Sequence, residues 1–281
     1  MNRFAGWTAV VTGASAGLGV EFARQLAPSV SRLVLVARRR DRLETLAAEL
    51  RTAHPTLAVE VEPADLSKPL ELAALAFWLR EEKIDLLVNN AGLGDMGIFE
   101  SSAWPRDEAM LRVNVDALTH LTHALLPGMI ARRRGAVVNV GSVAGYLPIP
   151  TFAVYAATKA YVNSFSEALF WELHGTGVTV TAVCPGPVPT EFFEVAGRKG
   201  DGTNGRAMGS PDLVRITAVQ AVAEALRASE AGKPRIVPGG WMRFGVWWLS
   251  RLPLAALRLG FRIGIPGKVQ AQRQAAGKQP V

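Results

Sequence analysis

The chain of 281 residues holds a single cysteine, Cys184, which excludes an internal disulfide and leaves packing to hold the fold. Histidine is scarce too. His54, His120, His123 and His174 are the whole set, and the helical pair His120 and His123 lacks a third ligand for a metal site. There is no internal repeat and no sign of a second domain. Arg3 leads straight into an apolar run, so no secretory leader is read and a cytoplasmic protein is expected. Acid is missing from the far end: Gly232 to Val281 carries nine Lys or Arg and no Asp or Glu, which places the whole +7 net charge there. Those bases are interleaved with bulky aliphatics and accompany no reading module, so nucleic-acid binding is a poor account of them.

What is present has the rhythm of an α/β protein. Leu33–Ala37, Leu86–Asn89, Ala136–Val140 and Val178–Val183 are almost continuously apolar, as parallel strands covered on both faces should be. Helical patterns alternate with them at Asp41–Ala53, Pro69–Arg80, Arg106–Arg132 and Pro211–Ser229, and Pro127 is expected to bend or interrupt the third. The expected fold is a single doubly wound Rossmann-type domain with a parallel sheet over residues 1–240. An amphipathic helical tail follows at 241–265, then a disordered end at 266–281.

Two segments carry chemistry. Trp7–Thr12 reads as a buried strand running into Gly13, Ala14, Ser15, Ala16, Gly17, Leu18 and Gly19 and then an amphipathic helix. A glycine turn at a helix N-terminus presents free N–H groups and lets the backbone approach a pyrophosphate. Farther on, Tyr155 and Lys159 lie four apart on one face of a helix over Phe152–Leu173, with Ser142 upstream, so a phenol, an ammonium and a hydroxyl can meet one carbonyl. A phenol working as a proton donor near neutral pH needs its pKa lowered by roughly 3 units, about 4 kcal/mol. One cation about 4 Å away at an effective dielectric of about 20 supplies that amount, so Lys159 alone would suffice.

The spacing GxxxGxG over Gly13, Gly17 and Gly19, with Asp65-Leu66, Asn89-Asn90-Ala91-Gly92, Asn114, Ser142, Tyr155, Lys159 and Pro185-Gly186-Pro187-Val188-Pro189-Thr190 in order, resembles the short-chain dehydrogenase/reductase family. The resemblance covers roughly residues 5 to 240, and AVYAATKAYVNSFSEAL with CPGPVPTEFF resembles the branch acting on ketones and long acyl or steroid-like carbonyls. It implies a nicotinamide dinucleotide held by Gly13, Ser15, Ala16, Gly17, Leu18 and Gly19. Asp65 and Leu66 would lie near the adenine, Asn90, Ala91 and Gly92 along the ribose, and Pro185, Gly186, Val188 and Thr190 at the carboxamide. It implies that Tyr155 exchanges the proton, that Ser142 polarises the substrate oxygen, and that Lys159 holds the nicotinamide ribose. Asn114 would hold a water linking Lys159 to solvent; from the residues alone it could equally bond its own helix. Cys184 reads as a small buried hydrophobe.

At the end of the second strand, where an acid would accept from the adenosine ribose, stands Ala37, followed by Arg38, Arg39 and Arg40. Arg38 is expected to fork onto a 2′-phosphate, Arg40 to be solvated and Asp41 to cap the next helix, which selects NADP(H). Leu147, Ile149, Phe152, Phe192 and Phe193 suggest a small hydrophobic carbonyl or alcohol as substrate, and glycine-rich 194–210 is either a lid or a plain loop. In Trp241–Ile265, Arg243, Arg251, Arg258 and Arg262 fall within about 100° of one helical face. That pattern fits either peripheral membrane contact or a helix pair, divided at Pro253, packed on the domain or a subunit neighbour. The family resemblance implies a homodimer or homotetramer. An NADP(H)-dependent oxidoreductase is the expected function, and a nucleotide-binding regulatory protein without turnover is the alternative.

Overall fold

Seven parallel strands are ordered β3-β2-β1-β4-β5-β6-β7 in a computed structural model that describes residues 3–197 and 216–253 together with 256, 258, 262, 266, 267, 269, 270 and 273. The strands are β1 Thr8–Thr12, β2 Arg32–Ala37, β3 Ala58–Pro63, β4 Leu86–Asn89, β5 Gly135–Val140, β6 Val178–Val183 and β7 Arg235–Ile236. The helices are α1 Gly17–Leu26, α2 Arg40–Ala53, α3 Pro69–Glu81, α4 Trp104–Leu111, α5 Leu118–Ala131, α6 Ala153–Glu172, α7 Glu191–Ala196, α8 Ala218–Glu230 and α9 Gly240–Leu249. The Rossmann-type doubly wound sheet is the expected one.

Side chains alternating across the sheet feed two cores. Val11, Leu33 and Leu35 pack with Phe22, Leu43 and Val222 on one face, while Val10, Val34 and Leu87 pack with Leu72, Leu121 and Leu125 on the other. The inner strands are therefore mostly apolar and buried, whereas edge strand β3 alternates through Glu60 and Glu62 and ends on Pro63, which an edge tolerates. The strand order reverses between β1 and β4, and the loops leaving the carboxyl ends of these two strands open a crevice there.

Two expectations about helices need correction. Pro127 does not interrupt its helix: α5 runs through it to Ala131, because a proline this close to the C-terminal end forfeits one backbone bond. The irregularity lies upstream, where α4 and α5 are joined by a π-helical stretch, Arg112–Ala117, that contains Asn114. Asp41 does not cap α2. It sits inside the first turn, no side-chain bond caps that end, and its charge acts on the helix dipole instead.

The tail also differs from a free amphipathic helix. α9 covers Gly240–Leu249 and stops before Pro253, and the half-exposed Arg243 pairs with Glu224 of α8 at 3.0 Å. That ion pair removes Arg243 from the arginine face read in the sequence. Of 266–281, expected to be disordered, the described residues 266, 267, 269, 270 and 273 are helical, and Arg273 is held by Glu100 at 2.7 Å. No helix among the described residues is long and apolar enough to cross a membrane.

Candidate active site

The turn from β1 to α1 is built around glycine by necessity. Gly13 has φ +67°, a left-handed conformation that side chains resist, and a Cβ on Gly19 would lie 2.2 Å from the Gly13 carbonyl oxygen. The neighbouring loop after β4 is clamped to this turn. Thr12 Oγ1 accepts from Asn90 N and Ala91 N, each at 3.0 Å, and Asn90 Nδ2 donates to Thr12 O at 2.9 Å and Gly13 O at 3.3 Å. Thr12 is thus a positioning residue that the sequence left inside the strand. Asn90 spends its amide on the cradle itself while lining the cavity beside Ala91 and Gly92.

That cavity has a volume of about 820 Å³ and runs from Ser15, Arg38 and Asp65 at one end to Ser142 and Tyr155 at the other. Gly13, Ala16, Gly17, Leu18, Leu66, Pro185, Gly186, Val188 and Thr190 line it between them. Among the candidate residues only Gly19 and Asn114 stay off its wall, Gly19 packed under the turn and Asn114 behind it. A cradle that a Cβ would fill, opening onto a long cleft at the strand-order switch, fits an extended dinucleotide.

At the inner end, α6 carries Tyr155 and Lys159 on its buried face, 7 % and 5 % exposed, and the turn Val143–Tyr146 is capped by Ser142, which accepts from Ala144 N at 3.0 Å. Tyr155 stacks on Phe152 with ring centroids 4.2 Å apart and meets Phe192 at 5.3 Å. Lys159 Nζ lies 5.8 Å from the phenol ring centroid and donates to Val140 O at 2.8 Å. Burial pushes the Tyr155 phenol up to about 12, against the hydrogen bond from Ser142, and burial brings the Lys159 ammonium down to about 8. The expected depression of the phenol by Lys159 is not found: burial and Ser142 set its value. Desolvation of both groups exceeds their mutual effect, and the ammonium is spent on the end of β5.

Asn114 does not bond its own helix. Its Oδ1 accepts from Leu93 N at 2.8 Å, and its Nδ2 donates to Leu93 O at 2.9 Å and Thr158 Oγ1 at 3.0 Å, tying the π-helical stretch to the β4 loop and to α6. Behind Ser142, Asn163 Nδ2 donates to the Ser142 carbonyl at 3.0 Å, and Cys184 Sγ donates to Asn163 Oδ1 at 3.2 Å. Burial raises the Cys184 thiol to about 11, so it is an inert buried group. No cluster of metal-ligating side chains occurs among the described residues.

The outer end is cationic. Arg38 is exposed at the rim and lies close enough to act on Asp65. Burial raises the Asp65 carboxyl, but hydrogen bonds from Ser67 and the charges of Arg38 and Lys68 outweigh that and leave it below its ordinary value. Arg39 reaches back to the glycine turn, donating to Ser15 Oγ at 3.2 Å and Ser15 O at 3.3 Å. Arg39 is a second candidate that the run of three arginines contained but could not single out, because the turn after β2 decides which guanidinium faces the cradle. α7 forms the opposite wall, with Thr190 at its N-terminal end accepting from Phe192 N at 3.4 Å. Residues 198–210 of the glycine-rich segment lie outside the described residues.

The mouth of the cavity is apolar. Leu147, Ile149, Phe152 and Phe192 line it, and α9 adds Met242, Val246 and Leu249. Met242 packs so closely on the main chain after β6 that a Cβ on Gly186 would lie 2.5 Å from its terminal methyl. These α9 residues were assigned to the tail in the sequence; their marker was the spacing 242, 246, 249 of apolar side chains on one helical face.

Residues 7–200 match the family model for short chain dehydrogenases. The chain is 39 % identical over 194 residues to an NADP-dependent 3-hydroxy acid dehydrogenase of Salmonella typhi, covering 68 % of this chain and 77 % of the relative. Its fold is similar to a short-chain dehydrogenase from Sphingobium yanoikuyae in complex with NADPH, with a TM-score of 0.75, 34 % identity and coverage of 92 % of this chain and 96 % of that one. It is also similar to the bulky-bulky ketone specific alcohol dehydrogenase from Comamonas testosteroni, with a TM-score of 0.74, 30 % identity and coverage of 92 % and 94 %. With a match spanning the glycine turn, the β4 loop and α6, the chain belongs to the short-chain dehydrogenase family.

Proposed function

We propose that the protein is an NADP(H)-dependent oxidoreductase that interconverts a hydrophobic ketone and its secondary alcohol. The observation that carries this reading is one continuous cavity joining the arginine-flanked glycine turn to Ser142 and Tyr155 and ending in an apolar mouth. The bound nicotinamide would supply or take up the hydride. Tyr155, protonated at neutral pH because burial holds its phenol near 12, donates to the substrate oxygen as that oxygen gains charge. Ser142, whose oxygen accepts from Ala144 N and whose hydroxyl faces the phenol, would turn its proton to the substrate oxygen and polarise it. Lys159, which donates to the Val140 carbonyl and lies 5.8 Å from the phenol ring centroid, would hold the cofactor ribose while keeping positive charge beside the phenol.

NADP(H) rather than NAD(H) is favoured by Arg38 and Arg39 at the rim, by Ala37 where an acid would accept from a ribose diol, and by NADP(H) in the names of two relatives. A bulky hydrophobic substrate is favoured by the walls contributed by Phe152, Phe192, Met242 and Val246, and by the ketone specificity in the name of one structural relative. A homodimer or homotetramer follows from the family resemblance. The exposed Trp241, Phe244, Trp247 and Trp248, with Arg251 stacked 3.9 Å over Trp247, support contact with an anionic bilayer as a second reading of α9.

The experiment is a screen of hydrophobic ketones, 3-oxoacyl thioesters and 3-hydroxy acids against NADPH, NADH and their oxidised forms, followed by nicotinamide absorbance. Turnover of ketones with NADPH is expected. Turnover confined to small hydroxy acids would overturn the substrate class, and equal efficiency with NADH would overturn the cofactor preference.

A further inference from the structure

The cationic end of the cavity is already satisfied by an anion from the protein itself. Glu191, the first residue of α7, is held by Arg42 at 2.7 Å and by Arg39 at 3.2 Å, and Arg39 is the guanidinium that also donates to Ser15 on the glycine turn. Thr190 stands beside it, and a Cβ on Gly17 would lie 3.2 Å from the Thr190 Cβ. α7 is therefore seated on the phosphate cradle at one end. At the other end it is tied to the β4 loop through Met96 N donating to Ala196 O at 2.9 Å, and between the two Phe192 lies against Tyr155. Among the described residues the Arg42 side chain bonds only this carboxylate, and so it holds Glu191 over Arg39.

We propose that the Glu191 carboxylate occupies the seat of the cofactor's 2′-phosphate, and that the phosphate displaces it, so a phosphate-bearing dinucleotide unlatches α7 from Arg39. The proposal rests on the reading that NADP(H) places its 2′-phosphate at Arg38, Arg39 and Ser15. The chemistry of exchange is favourable. A phosphate brings three acceptor oxygens and close to two charges to a fork that Glu191 meets with one charge. The latch is weak enough to yield, since the Arg39 and Glu191 side chains are 40 % and 44 % exposed and such a pair is worth about twofold to fivefold in an equilibrium. The arginines hold the Glu191 carboxyl below its ordinary value, Arg42 more than Arg39, so the latch stays charged at neutral pH. Glu191 then discriminates between cofactors: a dinucleotide ending in a ribose diol gains nothing from displacing it.

The test uses the full chain with two fragments that fill the outer end without reaching Tyr155, adenosine 2′,5′-bisphosphate and adenosine 5′-monophosphate. Calorimetry gives their affinities for the unmodified protein and for Glu191→Gln, and amide hydrogen exchange follows residues 191–196. The bisphosphate should bind more tightly than the monophosphate and speed exchange across α7, which the monophosphate should leave unchanged. Glu191→Gln should bind the bisphosphate about fivefold more tightly, with monophosphate affinity unaltered, and show fast α7 exchange before any ligand is added. Arg42→Gln, which leaves Ser15 and Arg39 intact, should also speed exchange in the free protein. A bisphosphate that binds Glu191→Gln no better, or that leaves α7 exchange unchanged while binding tightly, overturns the latch and spares the phosphate site. Equal affinity of the unmodified protein for the two fragments overturns the phosphate site, and the latch with it.

Discussion

At the scale of single residues, the decisive group is a phenol whose surroundings work against its ionisation. The pairing of Tyr155 with Lys159 was legible in their spacing, because a four-residue step puts both on one helical face. The electrostatics were not legible. Both groups are buried, which raises the phenol and lowers the ammonium, and a sequence does not show how much water a pair retains. Burying Lys159 leaves a signature in stability. A lysine brought from 10.5 down to about 8 on folding carries a cost that is complete below pH 8 and is relieved as the pH rises toward 10, because the unfolded chain still binds the proton that the folded one has released. Lys159→Met should therefore melt above the unmodified protein at pH 7, and the gap in Tm should narrow between pH 8 and 10. A gap that is constant with pH would mean that the ammonium is not desolvated.

At the scale of elements, what the sequence displayed best was periodicity and what it displayed least was which surfaces meet. Almost continuous apolar runs located the central strands, and the glycine spacing located the turn between β1 and α1. The seating of α7 on that turn, by contrast, joins Glu191 to Arg39 and Arg42 across about 150 positions, and no local pattern announces such a contact. The same holds for Thr12, which looks like any strand residue until the β4 loop is laid against it. The turn itself yields a sharp expectation. Gly19→Ala places a methyl carbon 2.2 Å from the Gly13 carbonyl oxygen, so the turn must open. NADPH affinity should fall at least tenfold, about 1.4 kcal/mol, while the far-ultraviolet dichroism of the sheet and helices is retained. Calorimetric titration with NADPH checks this, and unchanged affinity would show that the turn does not cradle the cofactor.

At the scale of the whole molecule, the excess positive charge lies in the C-terminal part, and there α9 brings an exposed aromatic cluster up to the catalytic cavity. One side of α9 supplies Met242 and Val246 to the mouth, while Trp241, Phe244 and Trp248 remain exposed. The sequence showed the amphipathic character but left open whether it meets a bilayer or packs on the domain or a subunit neighbour, because helical phase cannot say which body an apolar face will cover. Truncation after Gly240 should raise KM for hydrophobic ketones at least fivefold with a smaller change in kcat, since the lost side chains touch the substrate end and not Tyr155. The same pair of proteins, sedimented with anionic and neutral vesicles, tests the bilayer reading. Binding of the full chain to anionic vesicles that weakens with salt and vanishes on truncation supports it, and a full chain left in the supernatant at low salt rejects it.

The central claim is that one cavity joins cofactor binding to proton transfer at Tyr155, and the most direct measurement pairs the unmodified protein with Tyr155→Phe. NADPH binding is read by calorimetry, and ketone-dependent loss of reduced nicotinamide is read by absorbance. The account predicts equal NADPH affinity in the two proteins, turnover in the first and a loss of at least a hundredfold in the second, because the ring still packs on Phe152 while its transferable proton is gone. Tight NADPH binding by the unmodified protein with no turnover of any ketone or alcohol, or substantial turnover by Tyr155→Phe, would contradict it. The first result would mark a nucleotide-binding protein built on the same fold.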